Sequence, residues 1–220
     1  MKNLAFWLWG SLPGNARMFL DILRRCLRWK KEGVLFIHVP KAAGVSVSKA
    51  IYGRTLGHFY ALKIKKLCPT MFSKLFTFAF VRHPVDRLYS AYQFSKNGGT
   101  RVMGMKNPNY YTHHPDFKTF DLFVTKWLIK QNLLEIDGVF RPQYLYVCDD
   151  KFNVLVDKVY KLENIKVAAF QISKKIDKKI IFQHYNKSIQ EDKNISNETI
   201  DIIFKLYNKD FDIFSYNKEE

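Results

Sequence analysis

Two short apolar runs constrain this chain more than any other feature: residues 34–39 (Val-Leu-Phe-Ile-His-Val) and 75–81 (Leu-Phe-Thr-Phe-Ala-Phe-Val). Each is too short for a buried helix and too continuous for a half-exposed strand. That pattern belongs to strands covered on both faces, as in parallel sheets. The first run is followed at once by Pro40 and the second, after Arg82 and His83, by Pro84, and each leads into a helix-compatible stretch, 45–52 ending at Gly53 and 84–95 starting at Pro84. Two strand–loop–helix units of this kind predict an α/β protein with a central parallel sheet flanked by helices.

The remaining elements extend that frame. A helical pattern is expected over 119–132, strands near 144–147 and over 156–162, and late helices over 165–176 and 196–207. A loop rich in Asn, Gly, Pro and His covers 97–116. With 220 residues, 47% hydrophobic and 16% aromatic, the chain can bury one substantial core. Residues 33–220 are read as that domain, and residues 1–32 as a basic amphipathic segment. In the latter, Met18, Phe19, Ile22, Leu23 and Leu27 lie toward one side, among Arg17, Arg24, Arg25 and Arg28. Such a helix suits either an anionic membrane surface or packing on the domain itself. The apolar run before it is shorter than the roughly 20 residues a membrane span takes. It also lacks the shape of a cleaved leader, so a cytoplasmic protein, peripheral on the inner membrane face, is expected.

Charge is less decisive. The formal net charge is +16, which attracts polyanions, yet the basic residues are scattered and form no nucleic-acid reader, so no nucleic-acid partner is expected. The three cysteines, Cys26, Cys68 and Cys148, form no CxxC pair, which argues against a zinc site or disulfide framework and for a reducing compartment. No metal is expected.

Chemistry concentrates in the two loops. The first reads Pro40-Lys41-Ala42-Ala43-Gly44-Val45-Ser46. A tight turn into a helix start presents free N–H groups to an anion; Lys41 adds a full charge, Ser46 a hydroxyl, and Gly44 an unobstructed backbone. Its lysine precedes the glycine, unlike the GxxxxGK[ST] loop. The second reads Arg82-His83-Pro84-Val85-Asp86-Arg87-Leu88-Tyr89-Ser90-Ala91-Tyr92. Arg82 stands at the carboxyl end of a buried strand, where open α/β sheets bind ligands, and Ser90 lies about two turns into the helix. Arg87 is expected to hold the helix in place, by pairing with Asp86 or another carboxylate.

The pair PKxxGxS and RxPxxRxxSxY resembles the carbohydrate sulfotransferases that use 3′-phosphoadenosine 5′-phosphosulfate, chiefly the Golgi-type glycan enzymes and their bacterial relatives. The resemblance implies a P-loop-like fold. It implies that Lys41, Ala43, Gly44, Val45 and Ser46 hold the 5′-phosphosulfate, and that Arg82 and Ser90 hold the 3′-phosphate. Pro142-Gln143, Glu163-Asn164, Tyr185-Asn186-Lys187-Ser188 and Phe214-Ser215-Tyr216 resemble later family segments, which adds Asn186 and Lys187 to the cofactor contacts. Ala42 and Val45 depart from the family by replacing hydroxyl residues.

The implied reaction moves a sulfuryl group in line to a hydroxyl of a carbohydrate or glycolipid acceptor. Lys41 would meet the leaving oxygen, and a base would take the acceptor's proton. His58, after Gly57, resembles the catalytic histidine of uronyl 2-O-sulfotransferases and is the expected base. Tyr110, Tyr111, His113 and His114 offer an acceptor wall; His38 reads as structural, and His184 as a weaker cofactor contact. Two alternatives stay open: a P-loop-type kinase, with Asp149 or Asp150 on Mg²⁺ near a helix start, and a nonenzymatic basic domain binding membrane or nucleic acid.

Overall fold

The computed structural model describes residues 13–99, 105, 107–182 and 194–218. Helix α1 (Gly14–Glu32) ends at Gly33, whose φ of 69° lets its N–H turn back to the Lys30 carbonyl. Ile22, Cys26 and Trp29 on one side of α1 are buried with the core, while Phe19, Leu23 and Leu27 face outward. Strand β1 (Val34–Ile37) then enters a three-stranded sheet of order β1-β2-β3, with β2 (Phe76–Val81) in the middle and β3 (Lys158–Lys161) beyond it. All pairs are parallel: Ile37 lies opposite Ala79, and Val81 opposite Lys161. The protein is an α/β fold of P-loop-like character, and β1 and β2 end side by side at the same edge of the sheet.

Helices α2 (Gly44–Tyr52), α3 (Ala61–Leu67) and α4 (Pro69–Lys74) carry the chain from β1 to β2, and α5 (Pro84–Lys96) follows β2. At the amino edge of the sheet, Thr77 N–H and Oγ1 donate to Asp157 Oδ2 at 2.7 and 2.8 Å, and Asp157 N–H donates to Thr77 Oγ1. This reciprocal clip holds β2 and β3 in register. Cys26 and Cys68 meet as free thiols, Sγ to Sγ 3.2 Å, where α1 crosses the α3–α4 turn. Burial and the Cys68 neighbour push the Cys26 thiol up to about 12, so it stays protonated.

Several expectations change. Residues 144–147 form helix α8 (Tyr144–Val147), not a strand. Asp210, on the late helix α11 (Asn208–Ile213), accepts the N–H groups of Gln143 and Tyr144 at 2.8 and 2.9 Å and so caps the turn from 66 residues away. The expected loop over 97–116 contains α6 (Pro108–His113). Residues 119–132 do coil, as α7 (Phe120–Leu122), a π turn (Phe123–Trp127) and a 3₁₀ turn (Leu128–Lys130). The wider π turn brings Phe123 and Trp127 into a stack at 5.4 Å and 25°. The expected late helices are α9 (Ile165–Lys175) and α10 (Asn197–Leu206).

Candidate active site

Beyond β1 the chain turns through residues 38–43 into α2. Lys41 (φ 66°) and Ala43 (φ 57°) both adopt left-handed conformations, which cost a residue with a Cβ roughly 1–2 kcal/mol. Alternation of right- and left-handed residues curls successive N–H groups inward to form a nest for an anion. No side chain caps α2, and its first helical bond runs from Val47 N–H to the Ala43 carbonyl, leaving the amides of Gly44, Val45 and Ser46 ahead of it. Ala43, Gly44, Val45 and Ser46 are thus gathered around one concave start. Lys41 rises beside them with Nζ 4.4 Å from the centre of the Phe94 ring. Its ammonium is pushed down to about 8, first by burial and then by the Arg82 charge.

Gly44 owes its identity to a different contact from the one expected. A Cβ there would lie 1.7 Å from His38 Cδ2 and 1.9 Å from His38 Nε2, so the imidazole occupies the space that any side chain would need. The close approach is between backbone and histidine, within the protein. His38 is buried, as expected of a structural residue, and burial keeps its imidazole well below the usual 6.5.

His58 joins this tip. Gly57, at φ 99°, reverses the chain so that the His58 ring lies 3.9 Å from the His38 ring, tilted by 41°. His58 Nδ1 is 2.9 Å from the His38 carbonyl oxygen. A carbonyl only accepts, so Nδ1 carries the proton and Nε2 keeps its lone pair. Burial lowers the imidazole below 6.5; the His38 carbonyl opposes that shift and the Lys41 charge adds to it. His58 is therefore neutral, oriented and electrostatically close to Lys41.

The second tip begins at Arg82. Gln143, fully buried, accepts the Arg82 N–H through Oε1 at 2.9 Å and donates Nε2 to the Arg82 carbonyl at 2.8 Å, prolonging the strand with a side chain. His83 N–H donates to Glu163 Oε1 at 2.8 Å, and Tyr216 Oη donates to Glu163 Oε2 at 3.0 Å. The His83 ring meets Phe211 and Tyr216 edge-on, and its Nε2 donates to the Asn217 carbonyl at 3.0 Å. Gln143, Glu163 and the 214–217 segment thus brace the loop that presents Arg82. Their motifs were visible in the sequence, but not this role.

The Arg82 guanidinium lies 3.6 Å from Asp86, the partner expected of Arg87. Arg87 is fully buried and structural as expected, but its contacts are others: Nη1 donates to the Val139 carbonyl at 3.0 Å, and the guanidinium faces the Tyr207 ring. Burial raises the Asp210 carboxyl, and the Arg87 charge draws it back down. Asp86, Ser90 and Phe94 follow at four-residue steps along one side of α5, the side over which Lys41 reaches. Phe94 was not singled out in the sequence; the signal that could have found it is its four-residue spacing from Ser90.

Other expectations are not brought together here. Asn186, Lys187 and His184 lie outside the described residues. His113 bonds within its own helix, to the Asn109 carbonyl and Thr112 Oγ1, and His114 Nδ1 accepts the Asp116 N–H. Tyr110 and Tyr111 line a separate hollow with Trp127. Asp149 does not start a helix; it accepts from the amides of Lys151 and Asn153 in a turn closed by the Cys148–Val154 bridge. Among the described residues no group of three or more His, Cys, Asp or Glu is placed to hold a metal, and no helix is long and apolar enough to cross a membrane. A hollow of about 560 Å³ lined by Lys74, Phe76 and Asp157 opens at the amino edge of the sheet, away from both tips.

Adjacent basic loops at the carboxyl edge of a parallel sheet place the molecule in the P-loop-like class of α/β proteins. Within that class the chain belongs to a single family: the profile described as Sulfotransferase family matches residues 24–217. It is therefore a transferase of sulfuryl groups. No curated protein and no solved structure matches it.

Proposed function

We propose that the protein transfers the sulfuryl group of 3′-phosphoadenosine 5′-phosphosulfate to a hydroxyl of a carbohydrate, on a polysaccharide or glycolipid. One observation carries the reading. Lys41 of the first loop and Arg82 of the second lie just beyond neighbouring parallel strands, close enough for the Arg82 charge to depress the Lys41 ammonium. Burial and the Arg82 charge both make the Lys41 ammonium costly, even with Asp86 3.6 Å from the guanidinium, and an anion shared by both cations relieves that cost. The uncapped amides of α2 suit the 5′ end of such a nucleotide, and Arg82 with Ser90 the 3′-phosphate.

When bound, the co-substrate supplies an activated sulfuryl group on a phosphate leaving group. The chain's part is to orient and to move one proton. Lys41 and the amides of Gly44 and Val45 stabilise negative charge at the first loop without reorganising. His58 Nε2 takes the acceptor hydroxyl's proton, while Nδ1–H stays locked on the His38 carbonyl and prevents the ring from flipping. The sequence segment 1–32 seats the enzyme on an anionic membrane surface at the cytoplasmic face, a reading supported by the outward Phe19, Leu23 and Leu27 beside exposed Arg24, Lys30 and Lys31.

Calorimetry with 3′-phosphoadenosine 5′-phosphate tests the reading. Arg82→Ala is expected to weaken binding about 10- to 150-fold, the range for losing a charge-assisted hydrogen bond. Adenosine 5′-phosphate, lacking the 3′-phosphate, should bind wild type and variant equally weakly. Equal affinity for both nucleotides in wild type defeats the proposal.

A further inference from the structure

A second hollow, of about 300 Å³, lies between α6 and the helical run from Phe123 to Lys130, lined by Asn107, Tyr110, Tyr111, Trp127, Gln131 and Asp137 with Ile136. We propose that it binds a neutral sugar residue of the acceptor, an inference that rests on the carbohydrate reading above and names the class of sugar. Its volume matches the lower end of ligand pockets, about 300 Å³ and upward. Three aromatic rings line it, those of Tyr110, Tyr111 and Trp127. Trp127 is nearly buried, whereas Tyr110 is 50% exposed in a chain whose other rings are mostly enclosed. Such faces pack against the C–H side of a sugar ring.

The polar groups are fixed by the protein yet keep capacity for a ligand. Trp127 Nε1 donates to Tyr110 Oη at 3.0 Å, which leaves the tyrosine's own proton to give. Tyr111 Oη donates to Asp137 Oδ2, which orients the carboxylate and leaves Oδ1 as an acceptor. Gln131 Nε2 donates to the Trp127 carbonyl at 3.1 Å, so its Oε1 remains an acceptor. A cluster of acceptors with one hydroxyl donor complements the many O–H groups of an uncharged sugar. The charge of the lining selects further. Among the described residues it holds one carboxylate and no lysine or arginine, in a chain with 36 of them, so a uronate or sulfated sugar meets the repulsion of Asp137 there.

Two chains of contacts link the hollow to the elements that carry the transfer site. Helix α6, which carries Tyr110, packs on α5, whose Phe94 ring underlies the Lys41 ammonium. On the other side the Ile136 carbonyl accepts from Arg141 Nε at 2.7 Å, and Arg141 Nη1 donates to Tyr60 Oη at 2.7 Å, two residues beyond His58.

The test is saturation-transfer NMR on the full chain saturated with 3′-phosphoadenosine 5′-phosphate. The panel comprises neutral tetrasaccharides (α- and β-linked hexoses and N-acetylhexosamines) and an oligogalacturonate of the same length. At least one neutral member is expected to bind, the uronate at least about tenfold more weakly. Tyr110→Ala and Gln131→Ala should each lower neutral-sugar affinity about tenfold while nucleotide affinity stays unchanged, which also reports folding. Preferential uronate binding, no neutral ligand, or variants that bind neutral sugar as wild type does would each overturn the inference alone. Failure of the nucleotide itself to bind would instead overturn the sulfuryl-transfer site.

Discussion

At Gly44 the φ angle is ordinary, and what excludes a side chain is an imidazole 1.7 Å from where Cβ would be. His38, in turn, has its ring against His58 and its carbonyl on His58 Nδ1. Three residues that the sequence presents as a loop glycine, a strand histidine and a distant histidine form one packed unit. Gly44→Ala should therefore act through His38. The single variant is expected to lose stability by about 1–3 kcal/mol, the usual cost of overpacking. His38→Ala in the same chain makes room for the methyl group, so denaturation of both singles and the double should show a favourable coupling of at least about 1 kcal/mol. Additive losses would mean that the two do not meet.

Among the elements, β2 illustrates how a strand tip is held when no neighbouring strand reaches it. Gln143 replaces the missing ladder by bonding both backbone groups of Arg82, and Asp210 holds Gln143 by capping α8. Gln143→Leu fills the volume but leaves the part-buried N–H and C=O of Arg82 unpaired. Urea denaturation should register a loss of about 2–4 kcal/mol, two unsatisfied groups at roughly 1–3 each. A loss below about 0.5 kcal/mol would show that the clip is dispensable. The same cap explains why 144–147 is a helix despite a strand-like run of Tyr, Leu, Tyr and Val: the deciding carboxylate lies 66 residues downstream. By contrast β1, β2 and α5 were legible, because continuous apolar runs and Pro84 at a first turn are local signals.

For the molecule as a whole, two buried neutral histidines set an acid limit. Folding holds the imidazoles of His38 and His58 below the 6.5 of the unfolded chain, chiefly by burial. Below pH 6.5 the unfolded state binds protons that the folded state refuses, so stability is fully present above that pH and falls as pH drops beneath it. Each histidine contributes a slope of up to about 1.4 kcal/mol per pH unit. Denaturation midpoints should be level from about pH 7.5 to 6.5 and fall toward pH 5, with a shallower fall in His58→Gln. A level midpoint down to pH 5 would contradict the burial of both rings.

By itself the sequence determined the parallel α/β frame and the two loops with Lys41 and Arg82, since each depends on residues within a few positions of one another. Only the tertiary structure decided that the loops are neighbours, that His38 is what demands Gly44, that Gln143 and Glu163 brace Arg82, and that Tyr110 belongs to a hollow with Trp127. Those are contacts between segments tens of residues apart. Such contacts form because burying apolar strands and pairing every buried polar group leaves few ways to close the chain, and no local pattern records which one is taken.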